Sequence, residues 1–462
     1  MPPPIVWIVL GFILFLGVPR LIPWMQAWEK PLFWRSSGAI ARSASSDIAQ
    51  RMSLGERLLF PHEGNPAQQQ GTHAFATRDY AAAAQSFQTA LELQRNDPEM
   101  VIYLNNARVG DRPHLQVAVS VPIGTNPNVA QELLRGVAQA QDEINRQGGI
   151  RGVGLQVLIA NDDNDAQIAQ RIAETLVNNP KILAVIGHNA TDASLAAAPI
   201  YQHAGLVMIS PTSFSNALSG FGDYIFRTVF NIQSIATPLA EYIIQQQGLQ
   251  RIAVCYDSQA PDNVSFRDEF VAAFSQLGGQ LASGVCDFAA PTFDPKRAIA
   301  DMRSHNAQGI LMAPHVDRIH RAIALVQANQ TQLPLFGSPT FYTMQTLQDG
   351  GDSVAGLTIS VPWFPSEPFA SRALQRWGGM VNWRTANSYD AAQAVITGLQ
   401  SNPTRRGLQR VLRDRHFSAM GATDSVQFLS TGDRVGTGIL VQVVSTDTRT
   451  DARGLRFSQL QR

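Results

Sequence analysis

The sequence predicts an α/β protein of two lobes, each a doubly wound parallel sheet, joined by a hinge and preceded by a transmembrane helix and a short all-α hairpin. Three observations carry that prediction. Strand-sized apolar runs alternate with helical periodicity in two separate series, which is the rhythm of repeated β-α-β units. Two of the runs, Leu183 to Gly187 and Leu206 to Ile209, end abruptly in small hydroxyl and amide residues: His188-Asn189-Ala190-Thr191-Asp192 and Ser210-Pro211-Thr212-Ser213. Strand carboxyl ends of this kind line the crevice in which open α/β folds bind ligands. Finally, the chain is apolar from Ile5 to Val18 and again at Leu21, Ile22, Trp24 and Met25.

Taken as one segment, residues 1–25 approach the ~20 residues that span a bilayer. Trp24, Trp28 and Trp34 sit where interfacial aromatics accumulate. No small-x-small cleavage site follows, so the segment reads as an uncleaved signal anchor rather than a removed signal peptide. Arg20, Lys30, Arg35 and Arg42 all come after it, whereas an exported body wants its positive charges before the span, which leaves the membrane side open. Residues 26–66, rich in Ser, Gln, Gly and Pro, read as a tether.

Over 67–112 the pattern changes to small and aromatic residues at i, i+3/i+4 spacing on two helices: Gly71, Ala74, Phe75, Tyr80, Ala83, Phe87, Ala90, Leu91 and Tyr103. This resembles one copy of a tetratricopeptide repeat. A single copy cannot bury its own apolar face, so it must stack on the tether, on the next domain or on a protein partner. A plain amphipathic spacer hairpin is the other reading.

The first α/β series opens with a strand over His114–Val121, a helix over Val129–Arg146 ended by Gly148-Gly149, a strand over Leu155–Ala160, a helix over Ala166–Asn178 and the strand into Gly187. The second runs through strand Arg251–Tyr256, helix Val264–Leu277, strand Gln280–Phe288, helix Pro295–His305, strand Gly309–Ala313 and helix Val316–Asn329. Each series has its own core, hence two lobes. With the crossings included, residues 113–232 and 362–420 are assigned to lobe 1, and 233–361 and 421–455 to lobe 2.

Composition narrows the function. Among 462 residues, 45% are apolar and 16% charged, which is globular, and the formal net charge is zero. With no Lys/Arg run, nucleic acid is a poor partner. Cys255 and Cys286 read first as buried small hydrophobes, with a disulfide between neighbouring strands as the alternative. Asn161-Asp162-Asp163-Asn164-Asp165 lacks the glycine and distal glutamate of an EF-hand loop, and Asp165 is placed to cap the next helix. No phosphate loop, dinucleotide fingerprint or nucleophile elbow occurs, so neither an enzyme nor a cofactor is predicted.

Residues 113 to about 444 resemble the type I periplasmic binding proteins, especially the branched-chain amino-acid group that serves ABC importers. The residues that carry the resemblance are Asp142-Glu143-Ile144-Asn145-x2-Gly148-Gly149-Ile150-x-Gly152, Asn161-Asp162-Asp163, Val185-Ile186-Gly187-His188, Ile200-Tyr201, Gly205-Leu206-x-Met208-Ile209-Ser210-Pro211, Phe226-Arg227-Thr228, Arg251-Ile252-Ala253 and Ser388-Tyr389-Asp390-Ala391. It implies two lobes, joined by three crossover segments, that close on a small ligand. The ligand's carboxylate would be held by Thr191 and by the loop of Thr212, Ser213 and Ser215, with Asn128 on the first loop. From lobe 2, His315 and Tyr342 would cover it, and Tyr389 would lie near the cleft. The acid that pairs the ligand's ammonium should lie near Pro339, where none exists, so Asp257, Asp262 or Asp317 must substitute, or the ligand is an amide or urea. The resemblance further implies an ABC permease as partner and an extracytoplasmic location. A sensor, or a scaffold with a vestigial clamp, remains as the other class of reading.

Overall fold

The computed structural model describes residues 47–61, 65–282, 286–446 and 454–460. The anchor expected over 1–25 and the first part of the tether lie outside the described residues. Among the described residues no helix is long and apolar enough to cross a membrane.

Strand β1 (Met52–Ser53) precedes three helices, α1 (Pro66–Ala76), α2 (Tyr80–Leu93) and α3 (Pro98–Val109). Each begins on an Asn or Asp side chain that accepts from a first-turn N–H: Asn65, Asp79 and Asp97. Helices α1 and α2 form the hairpin. A side chain at Gly71 is forbidden where they cross, because its Cβ would lie 2.4 Å from the Phe87 ring. The expectation of two helices over 67–112 is corrected here. Helix α3 is a third, and every residue in it except Arg108 is buried. It belongs to the packing of lobe 1.

Lobe 1 continues with β2 (His114–Val121), α4 (Pro127–Arg146), β3 (Gly154–Asn161), α5 (Ala166–Val177), β4 (Ile182–Ile186), α6 (Thr191–Ala204), β5 (Val207–Ser210) and β6 (Ile225–Arg227). The sheet order is β1-β3-β2-β4-β5-β6, parallel throughout except for β1. The β2 and β4 side chains are buried on both faces, which is why those strands read as unbroken apolar runs. Asp165 caps α5 as expected, accepting from Gln167 and Ile168 at 2.8 Å.

Residues 47–61, assigned to the tether, instead cover the edge of this sheet. Met52 and Ser53 pair with Ala160 and Ile159, Arg51 bridges Asp163 at 2.7 Å, and Ile48 and Phe60 are buried. Further along the same edge Asn106 of α3 acts as a surrogate strand residue. Its Nδ2 donates to the Val157 carbonyl (2.8 Å) while its Oδ1 accepts from the Val157 N–H (2.9 Å). An edge that would otherwise offer unpaired backbone groups is closed by β1 and one amide.

Lobe 2 is built from α7 (Ile232–Glu241), β7 (Arg251–Tyr256), α8 (Pro261–Gln276), β8 (Gln280–Leu281), β9 (Cys286–Asp287), α9 (Pro295–Ser304), β10 (Gly309–Ala313), α10 (Ile319–Asn329), β11 (Leu335–Gly337), α11 (Met344–Gly350) and β12 (Thr358–Val361). The chain then returns to lobe 1 as α12 (Phe369–Trp377), α13 (Trp383–Ser401), α14 (Arg405–Leu412) and the small pair β13 (Ala419–Met420) and β14 (Ser425–Val426). It ends in lobe 2 as β15 (Ile439–Ser445) and β16 (Leu455–Gln459). On the β12 edge β15 pairs antiparallel with β12 and β16 antiparallel with β15, so the second sheet is mixed and not purely parallel. The strand expected over Gln280–Phe288 is two short strands, both pairing with β7.

Cys255 and Cys286 lie directly opposite each other on β7 and β9 and are disulfide-bonded. The expectation of two free buried thiols is thus corrected: burial holds, and strand register brings the sulfurs together. In lobe 1, α13 packs along α4 so closely that a Cβ on Gly136 would sit 2.2 Å from the Thr385 carbonyl oxygen.

The chain passes between lobes after β6, after β12 and before β15. Residues 421–434, expected with lobe 2, are bound to lobe 1. The Gly220 N–H donates to Thr431 (2.8 Å), the Arg227 N–H donates to Gly432 (3.0 Å), and Arg227 forms a parallel backbone bridge with Asp433. Two buried ion pairs fix them there. Arg227 Nε meets Asp433 at 2.5 Å, and Arg434 pairs with Asp390 of α13 and with Asp424 at 2.6 Å. Burial pushes the Asp433 carboxyl up, but Arg227 and the hydroxyls of Ser219 and Thr431 outweigh it and hold it below the usual carboxylate range.

A depressed carboxylate contributes stability above its unfolded value, and loses it as pH falls through the folded one. Asp433→Asn should therefore cost about 3–5 kcal/mol at neutral pH, since it strands a buried guanidinium. The loss should shrink in acid, where the native pair is itself protonated. Urea unfolding at pH 7 and at pH 3 measures both; an unchanged midpoint at pH 7 would rule the pair out as a structural tie.

Candidate functional site

The two strand-to-loop junctions meet at the carboxyl edge of sheet 1, because β4 and β5 are adjacent and parallel there. Beneath them lies a buried polar network. His188 Nδ1 is 2.6 Å from Asp162 and its Nε2 is 3.2 Å from the Tyr201 hydroxyl. Ser120 adds a hydrogen bond to Asp162 at 2.9 Å. Burial alone would raise the Asp162 carboxyl, but the His188 ring, the Asn164 N–H and Ser120 bring it below its ordinary value. The His188 carbonyl accepts from Ser194 (3.2 Å) and Ser210 (3.0 Å), which ties both junction loops to one peptide.

The predicted cradle hydroxyls divide on this frame. Thr212 donates to the Asn189 carbonyl (2.9 Å), Ser213 shares a hydrogen bond with Ser194 (2.6 Å), and the Ser215 hydroxyl accepts from the Ala217 N–H (3.2 Å). Those three serve the protein. Thr191 is different: it is the first residue of α6, half-buried, and its hydroxyl has no partner among the described residues. The residue before it, Ala190, provides no side-chain cap, so the first-turn N–H groups of α6 remain available to an anion.

Between the lobes lies a cavity of about 500 Å³. Lobe 1 contributes Phe214, Trp383 and Arg384, and lobe 2 contributes Phe266, His315 and Tyr342 among others. Phe214 and Trp383 rest against each other with ring centroids 5.5 Å apart. Tyr342 packs edge-on against Phe457 at 4.9 Å, and burial pushes its hydroxyl well above the ordinary range. His315 starts a short 3-10 turn, accepting from the Asp317 N–H.

Three acids were expected to compete for the ligand's ammonium, and the structure separates them. Asp257 is fully buried and paired with Arg318 at 2.7 Å, while Asp317 points to solvent beside His315. Asp262 and Asp317 both line the cavity; Asp317 sits 3.3 Å from His315, whereas Asp262 has no hydrogen-bond or ion-pair partner among the described residues. Crowding by the protein raises its carboxyl, the facing Asp192 of lobe 1 raises it further, and His315 draws it part of the way back.

Of the predicted site residues only His315 and Tyr342 line the cavity; Thr191, Thr212, Ser213 and Ser215 are not in its lining, and two more fall farther off. Asn128 is exposed on the first turn of α4 and does not line the cavity. Tyr389 lies inside α13 and not in the cleft; it is 3% exposed, donates to Glu143 at 2.7 Å and packs on Phe369. It fastens α13 to α4. Conversely, Phe214, Phe266, Trp383, Arg384 and Ser338 line the cavity without having been singled out as site residues. A Trp-Arg pair on the first turn of a helix that returns between the lobes was the one local signal for two of them.

A family described as periplasmic binding protein matches residues 116–449. The Leu/Ile/Val-binding protein of Escherichia coli is 34% identical over 125 residues, 27% of this chain and 34% of that one. The chain thus spans about a third of that relative's length. The leucine-specific-binding protein of Salmonella typhimurium is 25% identical over 294 residues, 60% of this chain and 76% of that one. An ABC transporter substrate-binding protein from Desulfitobacterium hafniense, solved with Leu, superposes with a TM-score of 0.64 at 24% identity, over 75% of this chain and 100% of that one. That likeness is one of fold.

The hydroxyls can be told apart by experiment. Ser213→Ala should lower stability by about 1 kcal/mol by breaking the buried Ser194 contact. Thr191→Ala should leave stability within about 0.5 kcal/mol, as a substitution that removes no protein contact. Equal losses in thermal unfolding would place Thr191 in the scaffold.

Proposed function

The chain belongs to the periplasmic binding protein family, and from that premise we propose that it is a solute-binding protein of an ABC uptake system that captures a small carboxylate-bearing ligand of the amino-acid class. The observation that carries the reading is the cavity between the lobes, about 500 Å³, where Asp262 and Arg384 have no side-chain hydrogen bond to a described residue. A ligand bridging both lobes shifts the open–closed population, and the closed form is what a permease would recognise.

The ligand's α-carboxylate is assigned to the start of α6, where Thr191 and the first-turn N–H groups are free. Its ammonium is assigned to Asp262, with Asp192 of the opposite lobe adding negative charge across the gap. That arrangement supplies the acid missing near Pro339. Branched-chain amino acids, which the relatives' names specify, are the first ligands to test. The disulfide supports the extracytoplasmic reading, since such bonds persist in oxidising compartments.

Thermal shift against amino acids, their amides and urea tests the function. A ligand at about a hundred times its Kd should add about 2.7 kcal/mol of stability; if none moves the transition, the solute-binding reading is lost. Thr191→Ala should weaken binding roughly tenfold. Because the ligand's ammonium needs Asp262 ionised and that carboxyl is raised, affinity should fall as pH drops toward the upper carboxylate range. Asp262→Asn should bind weakly and without that pH dependence, as titration calorimetry from pH 4.5 to 8 would read out.

A further inference from the structure

Arg384 is the anomaly of the cavity. It stands at the start of α13, half-buried, on the lobe 1 wall. Its Nε is buried and without a hydrogen-bond partner, and no side-chain hydrogen bond joins it to a described residue. The guanidinium lies over the Trp383 ring at 4.4 Å, and Phe214 packs on that ring at 5.5 Å in a tilted arrangement. Glu132 offsets part of the charge, but it is already taken by the Thr385 hydroxyl (2.5 Å) and by Arg135. Burial pushes the guanidinium down to about 10, so it stays charged at neutral pH.

Ser338 is a second, independent sign. It lines the same cavity from lobe 2, is 1% exposed, and its hydroxyl has no partner. Buried polar atoms normally find partners, so two residues that line one cavity and each keep an unsatisfied polar atom among the described residues point to something that fills it.

We infer that Arg384 is a second anion anchor of the cleft, and that the ligand is an amino acid carrying a further carboxylate on its side chain. The inference rests on the solute-binding reading above. An aliphatic side chain closing over Arg384 would remove its water and offer no acceptor, which is the costly way to bury a charge. A carboxylate there forms paired hydrogen bonds with the flat guanidinium, whose orientation the Trp383 face already fixes. Ser338 donates to the same group from the opposite lobe, so closure and recognition of the acid are one event. The α-carboxylate and ammonium keep their places at Thr191 and Asp262.

The test on the full chain compares an acid with its amide, glutamate against glutamine, and an acid with an aliphatic amino acid, 2-aminoadipate against leucine, by thermal shift and titration calorimetry. Glutamate or 2-aminoadipate should bind roughly ten- to hundredfold more tightly than glutamine and leucine. Arg384→Gln should abolish that preference, Arg384→Lys should keep part of it, and Thr191→Ala should weaken all four alike. Leucine or glutamine binding the wild type as tightly as the acids overturns the inference and leaves the solute-binding reading intact, and needs no variant to fold. Acid binding unchanged in Arg384→Gln overturns it equally. If no small molecule of the wider panel moves the wild-type transition, it is the solute-binding reading that fails, and the inference with it.

Discussion

The Arg227–Asp433 pair is the constraint on which both the hinge and the junction loops depend. Arg227 ends β6 and is 1% exposed, the largest fully buried side chain among the described residues. One guanidinium spends its donors on three segments: Nε on Asp433 (2.5 Å), Nη1 on the carbonyls of Ser215 (2.6 Å) and Ser213 (3.3 Å), and Nη2 on the Ser219 hydroxyl (3.0 Å). Its fork geometry suits this use, where a lysine would offer only a point charge. Removing either charge would leave the other buried alone, which is far worse than never having buried the pair. The third crossing and the Ser-Pro loop are therefore held in one relation to β6.

Rigidity of lobe 1 follows from a similar economy of parts. Helix α3 and the segment around β1 close the β3 edge, and Asn106 also accepts from Gln141 of α4 at 2.8 Å and donates to the Leu54 carbonyl at 2.7 Å. The N-terminal hairpin is consequently continuous with the lobe through α3. On the other side α13 reaches α4 at Gly136, Tyr389 joins Glu143, and Trp377 donates to Gln139 at 3.2 Å. Trp383 and Arg384 are carried into the cleft on the start of that anchored helix. A charge held on so stiff a support cannot move away from an uncharged ligand, which is what makes it a discriminator.

Much of the fold was legible because burial leaves a periodic trace. Strands His114–Val121, Arg251–Tyr256 and Gly309–Ala313 occur with the boundaries that their apolar runs suggest. Helix α4 begins two residues early, on Pro127, because Asn126 caps it and proline suits the first turn. Elements lacking such a trace were misread. Helix α3 has no amphipathic stripe because it is buried nearly all round, and residues 47–61 look polar although Ile48 and Phe60 anchor them. The antiparallel β15 and β16 carry no mark of direction, since the same apolar run serves a strand running either way.

The sequence by itself determined the two lobes, the order of most of their elements and the place of the junction loops, since these follow from local periodicity, caps and turn residues. It left the stand-in for the missing acid open among Asp257, Asp262 and Asp317, with an amide or urea ligand as the other reading. Only the tertiary structure decided which polar groups are spent. Thr212, Ser213 and Thr191 look alike in the chain, yet the first two bond to the backbone of Asn189 and the hydroxyl of Ser194 while the third has no partner among the described residues. Cys255 meets Cys286 only through strand register, and Arg384 lacks a partner only because Glu132 is engaged by Arg135 and Thr385. Hydrogen bonding is a competition among groups distant in sequence, and its outcome exists only once the elements are packed.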